Sequence, residues 1–213
     1  MKATALVFAL LAAALHGGEV KTITINADGW PEGDPPKEVF VVDGTIKIAA
    51  KDGNKAIMVD PTPITDASAQ LGMAAAGDAT IEARIFASKK GRSYPRFGIS
   101  VHGMSGHRLI LNVSRKQLEL TKNDTVLATA PFTWVTDTWV KLKLEARKTG
   151  ADWSITGKGW PADAAEPADP QIKHADKDLK GQGRVAIWAT PFSEVPVYFD
   201  DIALAVEVAP ANP

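Results

Sequence analysis

The sequence predicts an all-β fold, a two-sheet antiparallel sandwich of the jelly-roll kind. Short segments that alternate apolar and polar residues recur along the chain, the period of strands with one face in a core and one in water. Asp-Gly pairs and prolines punctuate them at close intervals. No segment carries a convincing amphipathic helical period. Of the 213 residues, 45% are hydrophobic, ordinary for a chain that buries a real core.

The first segment is different in kind. Lys2 precedes an uninterrupted apolar run over residues 3–15, with small residues around Ala14 to Gly18. The run falls short of the roughly 20 residues that span a bilayer, and has the length of a secretory signal core. The expectation is a signal peptide over residues 1–18, one domain over residues 19–207, and a flexible tail over residues 208–213. The mature protein is then secreted or periplasmic, with no membrane span.

The strands follow in order. Residues 21–26 (KTITIN), 38–42 (EVFVV), 45–50 (TIKIAA) and 54–60 read as strands around the turn signals Asp28-Gly29, Asp43-Gly44 and Asp52-Gly53. Pro31, Pro35 and Pro36 make a loop. Residues 61–76 are ambiguous: two prolines and many alanines leave room for a short helical turn. Residues 80–88 place Ile81, Ala83 and Ile85 on one face and Glu82 and Arg84 on the other. Residues 94–102 put Phe97, Ile99 and Val101 inward, with Arg96, Ser100 and His102 outward. Residues 107–113 put Leu109, Leu111 and Val113 inward, with Arg108 and Asn112 outward. Residues 117–121 and 125–130 pair around Asn123-Asp124. Residues 140–146 alternate Val140, Leu142, Leu144 and Ala146 with Lys141, Lys143 and Glu145. Residues 153–159, 183–190 and 195–206 complete the set, with a loop over residues 161–170.

Composition excludes several classes. The formal net charge is −1, with 24 Lys+Arg against 25 Asp+Glu; nucleic acid and anionic membranes call for a basic excess. With no cysteine, disulfides, a thiolate nucleophile and thiolate metal sites are excluded. The sequons at Asn112 and Asn123 are short, common patterns and are read as coincidence.

Three segments occur together in a suggestive order: RFGISVH…GHRLILNV over residues 96–113; WVKLKL over 139–144, followed by Trp153, Lys158-Gly159-Trp160-Pro161 and Glu166-Pro167; and GRVAIWATPFSEVPVYFDDIALA over 183–205. The chain resembles the concanavalin A-like lectin/glucanase superfamily, and within it the bacterial laminin-G-like and 3-keto-disaccharide-hydrolase-like branch. It departs from that pattern at Ala186, where a glycine is usual, and after Glu166-Pro167, where Pro170 lies near the usual tryptophan position. The resemblance spans residues 28–206 and is specific for fold rather than activity. It implies a polysaccharide or oligosaccharide partner on a sheet face.

Glucanases of this superfamily carry Glu-x-Asp-x-(x)-Glu on one strand, setting two carboxylates about 5 Å apart. That motif is missing: Arg84 follows Glu82 at the position of the second acid, and Leu120 and Thr121 follow Glu119. The leading expectation is therefore a carbohydrate-binding domain without catalysis. The alternatives are a glycoside hydrolase resembling the 3-keto-disaccharide hydrolases, with Glu82, His102 or a nearby acid in the acid/base role, and a structural or adhesion module. If the middle strands are neighbours, Glu82, Arg84, Arg96, His102, Arg108 and Asn112 form one polar patch with donors and acceptors for hydroxyls, and Trp188 supplies a stacking platform. The plainer reading is a solvated face with cross-strand pairs such as Glu82 with Arg96. Trp134, Trp139 and Trp153 are assigned to the core or its lid; Trp30 and Trp160, each before a proline, are placed in loops, with packing favoured.

Asp200-Asp201 stands where the inward phase changes, from Val197 and Phe199 to Ile202 and Leu204. One extra residue there is a β-bulge. Two adjacent carboxylates at a bulge could hold a structural Ca²⁺, with Asp28 or Asp43 contributing, or fix the bulge by hydrogen bonds without metal. No other cofactor is required.

Overall fold

The computed structural model describes residues 18–103, 105–179 and 182–209. The expected signal peptide thus lies outside the described residues, except Gly18, as does the end of the expected tail. No helix among the described residues is long and apolar enough to cross a membrane.

Among the described residues, fifteen strands form two antiparallel sheets. They are β1 (Glu19–Ile25), β2 (Val39–Asp43), β3 (Ile46–Lys51), β4 (Asn54–Val59), β5 (Ala67–Ala75), β6 (Ala79–Ala87), β7 (Arg96–Val101), β8 (His107–Asn112), β9 (Gln117–Lys122), β10 (Thr125–Pro131), β11 (Thr138–Thr149), β12 (Asp152–Pro161), β13 (Ile172–Asp176), β14 (Gly183–Thr190) and β15 (Val197–Val208). The eight-stranded sheet runs β13-β12-β11-β6-β15-β4-β3, with β1 also paired to β15. The seven-stranded sheet runs β10-β9-β8-β7-β14-β5-β2.

The alternating residues close the core as their period requires. Ile81, Ile85, Leu142, Leu144 and Phe199 from the eight-stranded sheet and Phe97, Ile99, Leu109, Leu118, Leu120 and Ile187 from the seven-stranded sheet are fully buried in one cluster. Burying each such side chain is worth about 1.5–3 kcal/mol. Asn123 and Asp124 join β9 to β10 with φ of 48° and 61°. Two successive positive φ values are what a tight hairpin turn demands, and Asn and Asp tolerate them.

Two strands escape the alternation rule. The ambiguous stretch contains β5, a full strand between β14 and β2. Its alanines carry no β-branched signal, but with small side chains inward it fills an interior position. β13, unassigned from the sequence, is a five-residue edge strand on β12. β15 runs to Val208, one residue into the expected tail, and Val208 pairs with Glu19. Trp160 is in β12 rather than in a loop, and is buried.

The predicted bulge is present. The β15–β6 register shifts between Asp200 and Ala203, and Asp201 has φ 46°.

Candidate functional site

The expected single polar patch does not form. β6, carrying Glu82 and Arg84, belongs to the eight-stranded sheet. β7, β8 and β14, carrying Arg96, Arg108, Asn112 and Trp188, belong to the seven-stranded sheet. Outward side chains of the two sheets of a sandwich point away from one another, so Glu82 makes no pair with Arg96. Glu82 instead takes Lys141 Nζ at 3.0 Å. Alternation fixes which side chains leave the core, not which sheet they leave from.

His102 is a second correction. It follows the end of β7 with φ 59°, is buried, and sets its ring edge-on to Trp153 of β12, centroids 5.1 Å apart. The left-handed residue breaks the strand's alternation, and the imidazole turns away from the Arg96 face. Burial holds its pKa below the usual histidine range. Glu82 and His102 therefore cannot act as an acid/base couple. His107, 0% exposed, belongs to the same end of the interior: its Nε2 lies 3.0 Å from Asp176 Oδ2, close but misaligned for a hydrogen bond. Burial, first, pushes its pKa down to about 4. Lys122 Nζ of β9 donates to Asp176 Oδ2 of β13 at 2.6 Å, tying one sheet to the other.

What does come together lies on the outer face of the seven-stranded sheet. Register sets Arg96, Asn112 and Gln117 in one row across β7, β8 and β9, and Gly98, Ile110 and Glu119 in the next. Trp188 of β14 stands opposite Gly98 on one side and Ser68 of β5 on the other. A Cβ at Gly98 would meet the Leu109 carbonyl oxygen at 2.1 Å, so the strands approach too closely there for any side chain.

Glu119 is the centre of this face, although the Leu120 and Thr121 that follow it give it no place in a glucanase motif. It is 1% exposed. Its Oε1 accepts from Asn112 Nδ2 at 2.9 Å and Gln117 Nε2 at 2.8 Å, with Arg115 Nη1 at 3.5 Å. Its Oε2 faces Arg96 Nη2 at 3.8 Å. A buried carboxylate survives only with such partners. Alternation shows Glu119 leaving the core; only the β7–β8–β9 register shows what covers it. The same bonds occupy Asn112, which is buried and presents no free amide for a glycan.

Trp188 is not the open platform expected. It is 4% exposed. The Arg96 and Arg108 guanidinium carbons stand 5.6 Å and 5.4 Å from its ring centroid, within cation–π range. Its Nε1 is buried without an acceptor among the described residues. Arg108 also reaches Asp66 at 3.4 Å, whose other oxygen accepts from Thr190 Oγ1 at 3.1 Å. Together with Thr121, Asp124, Val126 and Phe192, these groups bound a cleft of ≈ 410 Å³. Size and lining suit a small polar ligand: fixed donors and acceptors beside an aromatic ring.

At the bulge, Arg84 supplies the counter-charge expected of calcium. Its Nη1 is 3.4 Å from Asp201 Oδ2 and 3.9 Å from Asp200 Oδ2. Asp28 is committed to the Lys55 amide at 2.9 Å and Asp43 to the Gly44 amide at 2.7 Å. Among the described residues no group of three or more His, Asp or Glu side chains converges to hold a metal ion. Burial, first, raises the Asp200 pKa above the usual carboxylate range.

Architecture and site define the class as a lectin-like two-sheet sandwich with a polar cleft on one sheet face. Solved structures share the two-sheet fold. The carbohydrate-binding module CBM66 from Bacillus subtilis aligns over 78% of this chain and 93% of its own, with 15% identity and a TM-score of 0.52. The Emp47p carbohydrate recognition domain covers 88% and 95%, at 8% and 0.53. The apo Crh5 transglycosylase covers 89% and 85%, at 12% and 0.58. Identities this low establish the fold alone. No family model and no curated protein sequence matches the chain.

Proposed function

We propose that this protein is an exported carbohydrate-binding domain, without catalysis of its own, in the laminin-G-like and 3-keto-disaccharide-hydrolase-like branch of its superfamily. It grips an oligosaccharide or polysaccharide on the outer face of the seven-stranded sheet. One observation carries the reading: a buried carboxylate, Glu119, with two amide donors and two guanidinium neighbours, and an arginine-flanked tryptophan, Trp188, share one sheet face beside a cleft. Arg96, Arg108 and Asp66 present both signs of charge to the cleft, matching hydroxyls that donate and accept at once.

Two structural neighbours, a carbohydrate-binding module and a carbohydrate recognition domain, support the ligand class. Separation of Glu82 from His102 supports binding over hydrolysis, because it leaves that pair unable to pass a proton through one substrate. The apolar leader over residues 3–15 supports export.

A glycan-array screen of the mature chain tests the proposal, with Arg96→Ala and Trp188→Ala beside it. Selective binding by the parent and at least about tenfold weaker binding by each variant, a loss of ~1.4 kcal/mol, is the expected result. Binding that survives both substitutions unchanged removes the site.

A further inference from the structure

We infer that the domain carries a second saccharide site, on the opposite side of the sandwich, and is therefore bivalent. The inference rests on the carbohydrate reading for its ligand class and on separate residues for its place. The segment between β10 and β11 crosses from one sheet to the other, and with the start of β11 it walls a cavity of ≈ 720 Å³, larger than the sheet-face cleft. Trp134 and Trp139 give it two indoles. Arg84 and Lys141 bring cations from neighbouring strands of the eight-stranded sheet; Asp201 brings a carboxylate from the bulge, and Asp163 another from beyond β12.

These groups are held in place. Trp139 donates from Nε1 to Asp52 Oδ2 at 3.0 Å and lies against Phe86, ring centroids 5.5 Å apart. Arg84 stacks on it with its guanidinium carbon 4.1 Å from the ring centroid, which fixes a fork that would otherwise sample many rotamers. Trp134 is anchored edge-on to Phe97 of the core, and its Nε1 is buried with no acceptor among the described residues. Asp163 is exposed at the rim.

The lining selects the chemistry. Arg84 is already paired with Asp201 and Lys141 with Glu82, so a purely apolar ligand would only dehydrate these ion pairs; an anion would meet Asp163 and Asp201, and a cation Arg84 and Lys141. A pyranose avoids each conflict. Its C–H face packs on indole, and each hydroxyl donates to a carboxylate while accepting from a cation. The volume lies within the range of small-molecule sites.

Titration calorimetry with a panel of soluble gluco-, xylo- and manno-oligosaccharides tests this, with circular dichroism as the folding control. The parent should take up two equivalents per chain. Trp139→Ala and the rim variant Asp163→Ala should each reduce this to one while leaving the remaining affinity unchanged. Arg96→Ala should also leave one equivalent, carried by the second site. A single equivalent that is indifferent to Trp139→Ala and Asp163→Ala but abolished by Arg96→Ala overturns the second site and keeps the first. A single equivalent with the opposite sensitivities overturns the first and keeps the second. No uptake of any panel member overturns both.

Discussion

The two outer faces of this sandwich are written in the same period-two code and differ in chemistry. On the eight-stranded sheet, charges are laid out as partly exposed pairs: Glu82 with Lys141, Lys158 with Glu166 at 2.7 Å, Arg147 with Asp78 at 3.4 Å. On the seven-stranded sheet, one carboxylate has been drawn under its neighbours and its donors assembled around it. A charge in water is screened and replaceable; a charge out of water makes every partner matter. Outward alternation alone is therefore a poor guide to function. The informative event is an outward residue that becomes buried.

Four experiments sharpen or break that contrast. Glu119→Ala should have the largest effect: it leaves Asn112, Gln117 and Arg96 facing a void, and chemical denaturation should show a loss of about 3 kcal/mol or more, the usual cost of removing one partner of a buried charged pair. A loss under ~1 kcal/mol would place Glu119 among ordinary surface acids.

Acidification comes next. His107, with its pKa pushed to about 4, and His102, also lowered, stay neutral in the fold while the unfolded chain takes up protons near 6.5. The His107 contribution is complete above pH 6.5 and is lost as pH falls from 6.5 to about 4; the His102 contribution is lost in the same direction below 6.5. The slope is about 1.4 kcal/mol per pH unit per group. Denaturant midpoints should fall across that window, and His107→Gln should flatten the fall.

Asp200→Asn tests the bulge in the opposite sense. The folded carboxyl has a raised pKa, so its ionised form opposes folding once pH rises through 3.8 toward the raised value. At pH 7 the amide should raise the urea midpoint. A fall would mean that the Arg84 pairing outweighs the burial.

The smallest effect belongs to Lys158→Ala on the ion-paired face: thermal denaturation should register at most about 0.5 kcal/mol, less in high salt. Sugar binding at the Glu119 face should not change.

Much of the fold was legible because alternation is a local property. Phe97-Ile99-Val101 and Leu109-Leu111-Val113 point inward as their spacing says, and even the bulge at Asp200-Asp201 is visible as a change of phase. β5 was not legible, since Ala67, Ala69 and Ala75 carry no strand preference of their own and are placed by the strands on either side. The site was legible by halves. Arg96, Arg108, Asn112 and Trp188 share one face, whereas Arg84 and Glu82 belong to another, because sheet membership is decided by pairing between distant segments. His102 was lost to a single positive φ, which strand periodicity does not register.

β15 occupies the middle of the eight-stranded sheet, clasped by β6, β4 and β1. The keystone of that arch thus follows every other described strand in chain order. Until residues 197–208 are made, β1 and β4 have no common neighbour and the layer cannot close. Closure of the eight-stranded layer therefore depends on one strand, and removing β15 would part β6 from both β4 and β1.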